Sequence, residues 1–492
     1  MKTTLALSAC LTACMSGLSH ADACFDLYKL TNFERAVEPG QVVAAAGGVP
    51  EHCVVRGVVN RSIRFEVRMP SSSWNGRFLM AGTGGSSGYI ADTTTELARG
   101  YAMSSTDTGH EGSDASYAAQ PEAALDYAFR AVHLVAQLSK EVIRTYYGRD
   151  VEYSYYQGCS NGGRQGMVEA TRYPEDFNGI VAGAPAFQVA GEFMLWSLMV
   201  HRAQQANPLT EAQLVLLDDA SRSACDGLDG IEDGIINDPR QCTREHYDPT
   251  ELLCARGQDP DTCLSSGQLD TVLQHYRGLA DENGRVLSPG LLPGAEAAGD
   301  WRMWALPGMA IPTTGEVMST SINEAVGDLL KYWVYQDADY DPDSFDLLED
   351  RADLERASNI LDVNTADLSE FEARGGKILM YQGWNDYPLR PQRAIDYLHD
   401  AEAANGGSAT TREFFRLFMV PGMVHCGGGP GAFMVDYLDP LVRWVEDGEA
   451  PEALTGGRPD GAFTRLHCVY PEIARYHGGD TNSAESFSCE AP

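Results

Sequence analysis

The stretch Tyr153–Met167, YSYYQGCSNGGRQGM, decides how the rest of the chain is read. Tyr153 to Gln157 is short and aromatic, the pattern of a buried strand. Gly158, Ser160 and Gly162 then give the G-x-S-x-G spacing of a nucleophile elbow, where a serine sits on a strained turn between strand and helix. Side chains at the flanking positions would run into the neighbouring strand or helix. Gly163 to Arg172 is helix-compatible, so the spacing predicts Ser160 at a helix N-terminus, whose free N–H groups can stabilise an oxyanion. In a chain with 50 glycines this spacing also arises by chance. The strand before it and the helix after it give it weight, as does Cys159 beside the serine.

Outward from the elbow, strands and helices alternate. Ala131, Val135, Leu138, Val142 and Tyr146 form one helical stripe that Gly148 closes as a C-cap. Gly179 to Pro185 reads as the next strand. Upstream, Ile63, Phe65, Val67 and Met69 alternate with charged residues as in a half-exposed strand. Arg77 to Ala81 and Tyr101 to Ser105 are further strands. This alternation predicts an α/β fold with a parallel sheet and helices on its faces. The glycine-rich loop Gly82–Gly88 reads either as a flexible turn or, following an early strand, as half of an oxyanion hole with Gly85 as donor. From Phe187 to Asn364 the rhythm changes to cysteines, Asp-Gly turns, prolines and the tryptophans 196, 301, 304 and 333. Alternation returns at Gly375, with Lys377–Gln382 as a buried strand, another within Arg412–Val420, and Phe433–Val445 as a helix. The expected division is therefore 22–186 and 365–492 for the sheet domain and 187–364 for an inserted lid.

A nucleophilic serine needs a base, and the base an orienting acid. In the α/β-hydrolase chain order these come as serine, acid, histidine. Asp386 stands just past a strand in Gly383-Trp384-Asn385-Asp386, and His425 after a later one in Pro421-Gly422-Met423-Val424-His425-Cys426. Asp107 and His110 form a rival pair, but they precede the elbow and read better as a structural turn. Cys159 precedes the serine and Cys426 follows the histidine; a bond between them would staple nucleophile to base.

The balance of 36 basic and 70 acidic residues, a formal charge of −34, excludes nucleic acid and anionic membrane surfaces as partners. Met1–Ala21 reads as a targeting segment: Lys2, an apolar run from Leu5 to Leu18, and Ser19-His20-Ala21 as a cleavage site. Leu11-Thr12-Ala13-Cys14 supports a second parse, a lipoprotein box with Cys14 lipidated. Both imply export, and no later stretch is long and apolar enough to span a bilayer. Setting Cys10 and Cys14 aside leaves an even number of cysteines, so disulfides are expected in an oxidising compartment. In Cys225–Ile235, carboxylates packed between glycines offer hard oxygen ligands on a tight loop, which suits Ca2+; an acidic surface turn is the alternative.

Gly158-Cys159-Ser160-Asn161-Gly162-Gly163-Arg164, the Gly383–Asp386 run and the Pro421–Cys426 run together resemble the tannase and feruloyl esterase family. That family includes bacterial mono(2-hydroxyethyl) terephthalate hydrolases, and the resemblance extends from about Cys24 to the C-terminus. It implies an α/β-hydrolase fold with a large inserted lid, and disulfides Cys24–Cys53, Cys159–Cys426, Cys225–Cys242, Cys254–Cys263 and Cys468–Cys489. It implies Ser160 as nucleophile, His425 as base and Asp386 as orienter, with the N–H groups of Gly85 and Asn161 as oxyanion hole. For the acidic loop it implies a structural calcium held by Asp226, Asp229 and Asp233 with the carbonyls of Ile231 and Ile235. The substrate it implies is a small aromatic ester, feruloyl, galloyl or terephthaloyl. Trp301, Trp304, Tyr332 and Trp333 are candidates to stack on it or to form lid core. Terephthalate monoester hydrolases of the family grip the free carboxylate with a lid arginine. Between Trp304 and Asp350 the only basic residue here is Lys331, a poorer bidentate partner, and Asn161 replaces an acidic residue that some such enzymes carry. Plant-phenolic esters are thus favoured over terephthalate monoesters. A reading of another class, a calcium-binding secreted module without catalysis, predicts an idle Ser160.

Overall fold

The computed structural model describes residues 20–86, 88–306 and 322–492. The targeting segment up to Ser19, with Cys10 and Cys14, lies outside the described residues.

Ten strands form the central sheet: β1 (Arg35–Val37), β2 (Gln41–Val43), β3 (His52–Val59), β4 (Ile63–Pro70), β5 (Arg77–Ala81), β6 (Ala102–Thr106), β7 (Tyr153–Cys159), β8 (Gly179–Gly183), β9 (Lys377–Gly383) and β10 (Phe415–Val420). Their order is β1-β3-β4-β6-β5-β7-β8-β9-β10, with β2 paired to β3. β3, β4 and β6 run antiparallel, and from β6 through β10 every pairing is parallel. The chain enters the parallel part at β5, goes outward to β6, then returns past β5 to β7. Parallel strands need long crossovers, and the helices α1 (Ala131–Tyr147) and α2 (Asn161–Arg172) provide two of them. Covered on both faces, such strands become continuous apolar runs: all of Ile378–Gly383 and Phe415–Val420 is buried. The fold is that of an α/β-hydrolase.

One face of the sheet packs on α1 through Val135, Leu138 and Val142, and on α3 (Pro391–Ala404) through Ile395 and Leu398. Gly148 ends α1 at φ 72°, its N–H bonded to the Arg144 carbonyl. The other face packs on α4 (Leu438–Asp447) through Leu441 and Trp444. That helix begins five residues later than the sequence suggests, because Met434–Val435 pairs as a short strand with Gly456–Gly457.

Residues 187–364, which separate adjacent strands β8 and β9, build an apolar cluster of their own. It includes Trp196, Trp301 and Trp333, and it reaches the sheet domain through Tyr117, Tyr127 and Tyr387. Among the described residues there are five disulfides, Cys24–Cys53, Cys159–Cys426, Cys225–Cys242, Cys254–Cys263 and Cys468–Cys489. Among the described residues no helix is long and apolar enough to cross a membrane.

Candidate active site

β7 ends at Cys159 and α2 begins at Asn161, leaving Ser160 alone on the turn with φ 64° and ψ −122°. A positive φ is costly for any residue with a side chain, and it persists here because the turn is held on both sides. The Ser160 N–H donates to the Gly183 carbonyl at 2.9 Å, while the Ser160 carbonyl accepts from Arg164 and Ala186. A Cβ on Gly158 would stand 2.7 Å from the Gly162 carbonyl, and one on Gly163 only 2.3 Å from the Gly183 oxygen. On Gly162 it would meet nothing closer than 3.4 Å. The tight positions are therefore Gly158 and Gly163, one residue further along than the spacing suggests.

His425 follows β10 and Asp386 follows β9, so the parallel sheet delivers both loops to the edge where β7 delivers the serine. His425 Nε2 lies 3.0 Å from Ser160 Oγ, and His425 Nδ1 lies 2.9 Å from Asp386 Oδ2. With a carboxylate on Nδ1, that nitrogen carries the proton and Nε2 is left to accept from the serine. Asp386 is fully buried. Its Oδ1 accepts the Leu389 N–H at 2.8 Å and its Oδ2 the Gln382 amide at 3.0 Å. Burial works against a charged imidazole, but the charge and hydrogen bond of Asp386, with the charge of Asp300, hold His425 above the usual histidine value. The Cys159–Cys426 bond locks the two loops together beside this contact.

The glycine loop reaches the same place. Gly85, at φ 60°, accepts the Tyr127 hydroxyl at 2.8 Å, and Thr83 is tied to α2 by Gln165 and Asn161. Asn161 opens α2, where backbone N–H groups have no partner within the helix. The fully buried Arg164 joins the Asn161 side chain to the carbonyls of Tyr127, Ala128 and Leu361. The rival pair divides. Asp107 accepts the Arg64 and Gly109 N–H groups and holds a turn, while His110 Nε2 contacts the Ser86 carbonyl at 2.7 Å and its ring stacks on Tyr117. His110 thus props the loop that carries Gly85.

Among the aromatic candidates, Trp304 stands edge-on to His425 with ring centroids 6.4 Å apart. Trp301 is buried and stacks on His275, and Trp333 is buried against Tyr117 and Tyr127. Both lie in the apolar cluster of residues 187–364. Lys331 and Tyr332 are half-buried beside Trp333.

In the acidic loop Asp226 turns inward and accepts the N–H groups of Asp233, Gly234 and Ile235. Asp229 accepts the Ile231 N–H, and Arg465 pairs with Asp233 at 2.5 Å. Burial, then the charges of Asp233 and Asp226, push the Asp229 carboxyl up to about 6. Oxygen-only side chains with mutually repelling charges fit a hard divalent cation. The metal-type set whose ligand atoms all lie within 4.8 Å of one another lies elsewhere among the described residues: His133, Glu169 and Asp176.

Sequence reasoning missed Asp300. Its Oδ2 accepts the backbone N–H of His425 at 2.7 Å and that of Tyr387 at 3.2 Å. Nothing in Gly299-Asp300-Trp301 marks it, since its partners are main-chain groups of two distant loops.

The model of tannases and feruloyl esterases matches residues 48–490. The mono(2-hydroxyethyl) terephthalate hydrolase of Piscinibacter sakaiensis is 33% identical, across 91% of this chain and 86% of that protein. A probable feruloyl esterase B-1 of Aspergillus flavus is 32% identical, across 87% and 83%. The crystal structure of feruloyl esterase B from Aspergillus oryzae superposes with a TM-score of 0.84 at 27% identity, covering 96% of this chain and all of that one.

Proposed function

This chain belongs to the tannase and feruloyl esterase family of carboxylic ester hydrolases, and from that premise we propose that it cleaves aromatic esters through an acyl-enzyme on Ser160. The observation that carries this is the pair of contacts through one imidazole, 3.0 Å to Ser160 Oγ and 2.9 Å to Asp386 Oδ2. Ser160 Oγ attacks the ester carbonyl while His425 Nε2 takes its proton. The oxyanion of the tetrahedral intermediate accepts from the Gly85 and Asn161 N–H groups, each worth about 3–4 kcal/mol. Collapse expels the alcohol, protonated by His425. Water, deprotonated by the same nitrogen, then releases the acid and returns Ser160.

An aromatic acyl group is supported by Trp304 beside His425 and by the names of the relatives. A feruloyl or galloyl ester is favoured, because a terephthalate monoester brings a free carboxylate and Lys331 offers it only a point charge. Turnover of methyl ferulate, methyl gallate and mono(2-hydroxyethyl) terephthalate separates the readings. A wide preference for the terephthalate ester would overturn the phenolic assignment.

Residues 187–364 act in this reading as the lid over the ester. The calcium ion would be held by Asp226, Asp229 and Asp233 with the Ile231 and Ile235 carbonyls, and it would brace that loop rather than enter the reaction. Five disulfides support export to an oxidising compartment.

A further inference from the structure

Asp300 opens the short helix Asp300–Ala305 of the 187–364 segment and is 4% exposed. A single oxygen, Oδ2, receives two backbone N–H groups from different loops: His425 at 2.7 Å and Tyr387, the residue after Asp386, at 3.2 Å. Base and acid loops are thereby joined through a carboxylate that belongs to neither. Neighbouring contacts reinforce the placement. The Asn385 amide donates to the Pro293 carbonyl at 3.3 Å, and Trp301 packs edge-on against Tyr387. The titratable groups facing Asp300 are Asp386 and His425 on the two loops, and Tyr387.

We propose that Asp300 is a positioning residue for ester hydrolysis, a second carboxylate that fixes His425 from its backbone side and adds negative charge beside the imidazolium formed in each proton transfer. This rests on the triad reading above. A carboxylate on Nδ1 orients the ring and the Cys159–Cys426 bond ties the chain one residue beyond it, while the bond to the His425 N–H fixes the backbone of the base itself. Proton transfer needs heavy atoms within hydrogen-bond reach, so a small drift of the loop is costly. The charge also favours the protonated imidazole, the more so because Asp300 itself is buried. Burial and the charge of Asp386 raise Asp300 above the usual carboxylate range. The 187–364 segment is accordingly part of the catalytic apparatus as well as a cover.

The test compares Asp300→Asn, which keeps an acceptor oxygen and removes the charge, with Asp300→Ala, which removes both, and with Ser160→Ala. Expected for Asp300→Asn are a fall of about three- to tenfold in kcat, KM within about twofold, and an acid limb of kcat/KM displaced to lower pH because His425 loses a neighbouring charge. Expected for Asp300→Ala is a fall in kcat of about 100-fold, again with KM little changed. Two results would overturn the proposal: kcat and the acid limb unchanged in Asp300→Asn, or loss of activity in Asp300→Asn only in step with loss of the folded fraction by circular dichroism. Activity surviving in Ser160→Ala would instead remove the triad reading beneath it.

Discussion

Cys159 and Cys426, the immediate neighbours of Ser160 and His425, are bonded to each other across 267 residues of chain. The bond joins the strand end that presents Ser160 to the loop that presents His425. In the chain-entropy model a closure of this length stabilises the fold by at most about 5–6 kcal/mol. Replacing both cysteines by serine is expected to lower the melting temperature and to reduce kcat by about tenfold or more, with the larger loss in kcat rather than KM. Thermal melts and steady-state kinetics on the double variant check this.

Because His425 is held above its ordinary value of 6.5, the neutral imidazole needed to accept the serine proton accumulates only at higher pH. The rate should therefore fall as pH drops through a value above 6.5, and kcat/KM against pH reads it directly. A limb at or below the ordinary value would contradict the electrostatics described for the site.

The calcium proposed for the Asp226–Ile235 loop would offset three carboxylates, of which Asp233 is also paired with Arg465. Chelation is expected to lower the melting temperature, and calcium to restore it, with the initial rate at low temperature little changed. Asp229→Asn should abolish the response to calcium. Differential scanning calorimetry with and without chelator checks both.

Glu169 on α2 is sealed from water, and no N–H or hydroxyl group among the described residues donates to either of its carboxyl oxygens. Burial first, then the charge of and hydrogen bond to Asp176, raise it well above the usual carboxylate range. Asp176 is itself bonded by His133, Gln137 and Lys140, so the pair reads as two carboxyls sharing a proton. From pH 4.5 upward the folded chain retains a proton that the unfolded chain releases, and stability falls as pH rises. Glu169→Gln, whose amide can donate where the proton stood, should melt higher than the parent by a margin that widens from about pH 5 to about pH 8.

The sheet and the elbow were legible because their signals are local. A flat aromatic strand, two close glycines and the apolar runs at β9 and β10 each follow from a few adjacent residues. Asp386 and His425 were legible by chain order and position after strands. Asp300 was not, because it works on backbone N–H groups and leaves no pattern in its own stretch; His110 reads with Asp107 as a structural turn, and only tertiary structure shows its contact with the Ser86 carbonyl under the Gly85 loop. Trp301 and Trp304 show the same limit, three residues apart on one short helix. One stacks on His275 in the core and the other faces His425, and only tertiary packing distinguishes them.

The proposed esterase activity requires Ser160 as the nucleophile, activated by His425. A serine-directed fluorophosphonate, followed by mass spectrometry of the digested protein, tests it most directly. The expected result is one adduct per chain, on the peptide containing Ser160, formed in proportion to the loss of esterase activity and nearly abolished in His425→Ala. Full esterase activity in a protein that takes up no label at Ser160, or that is labelled at another residue, would contradict it.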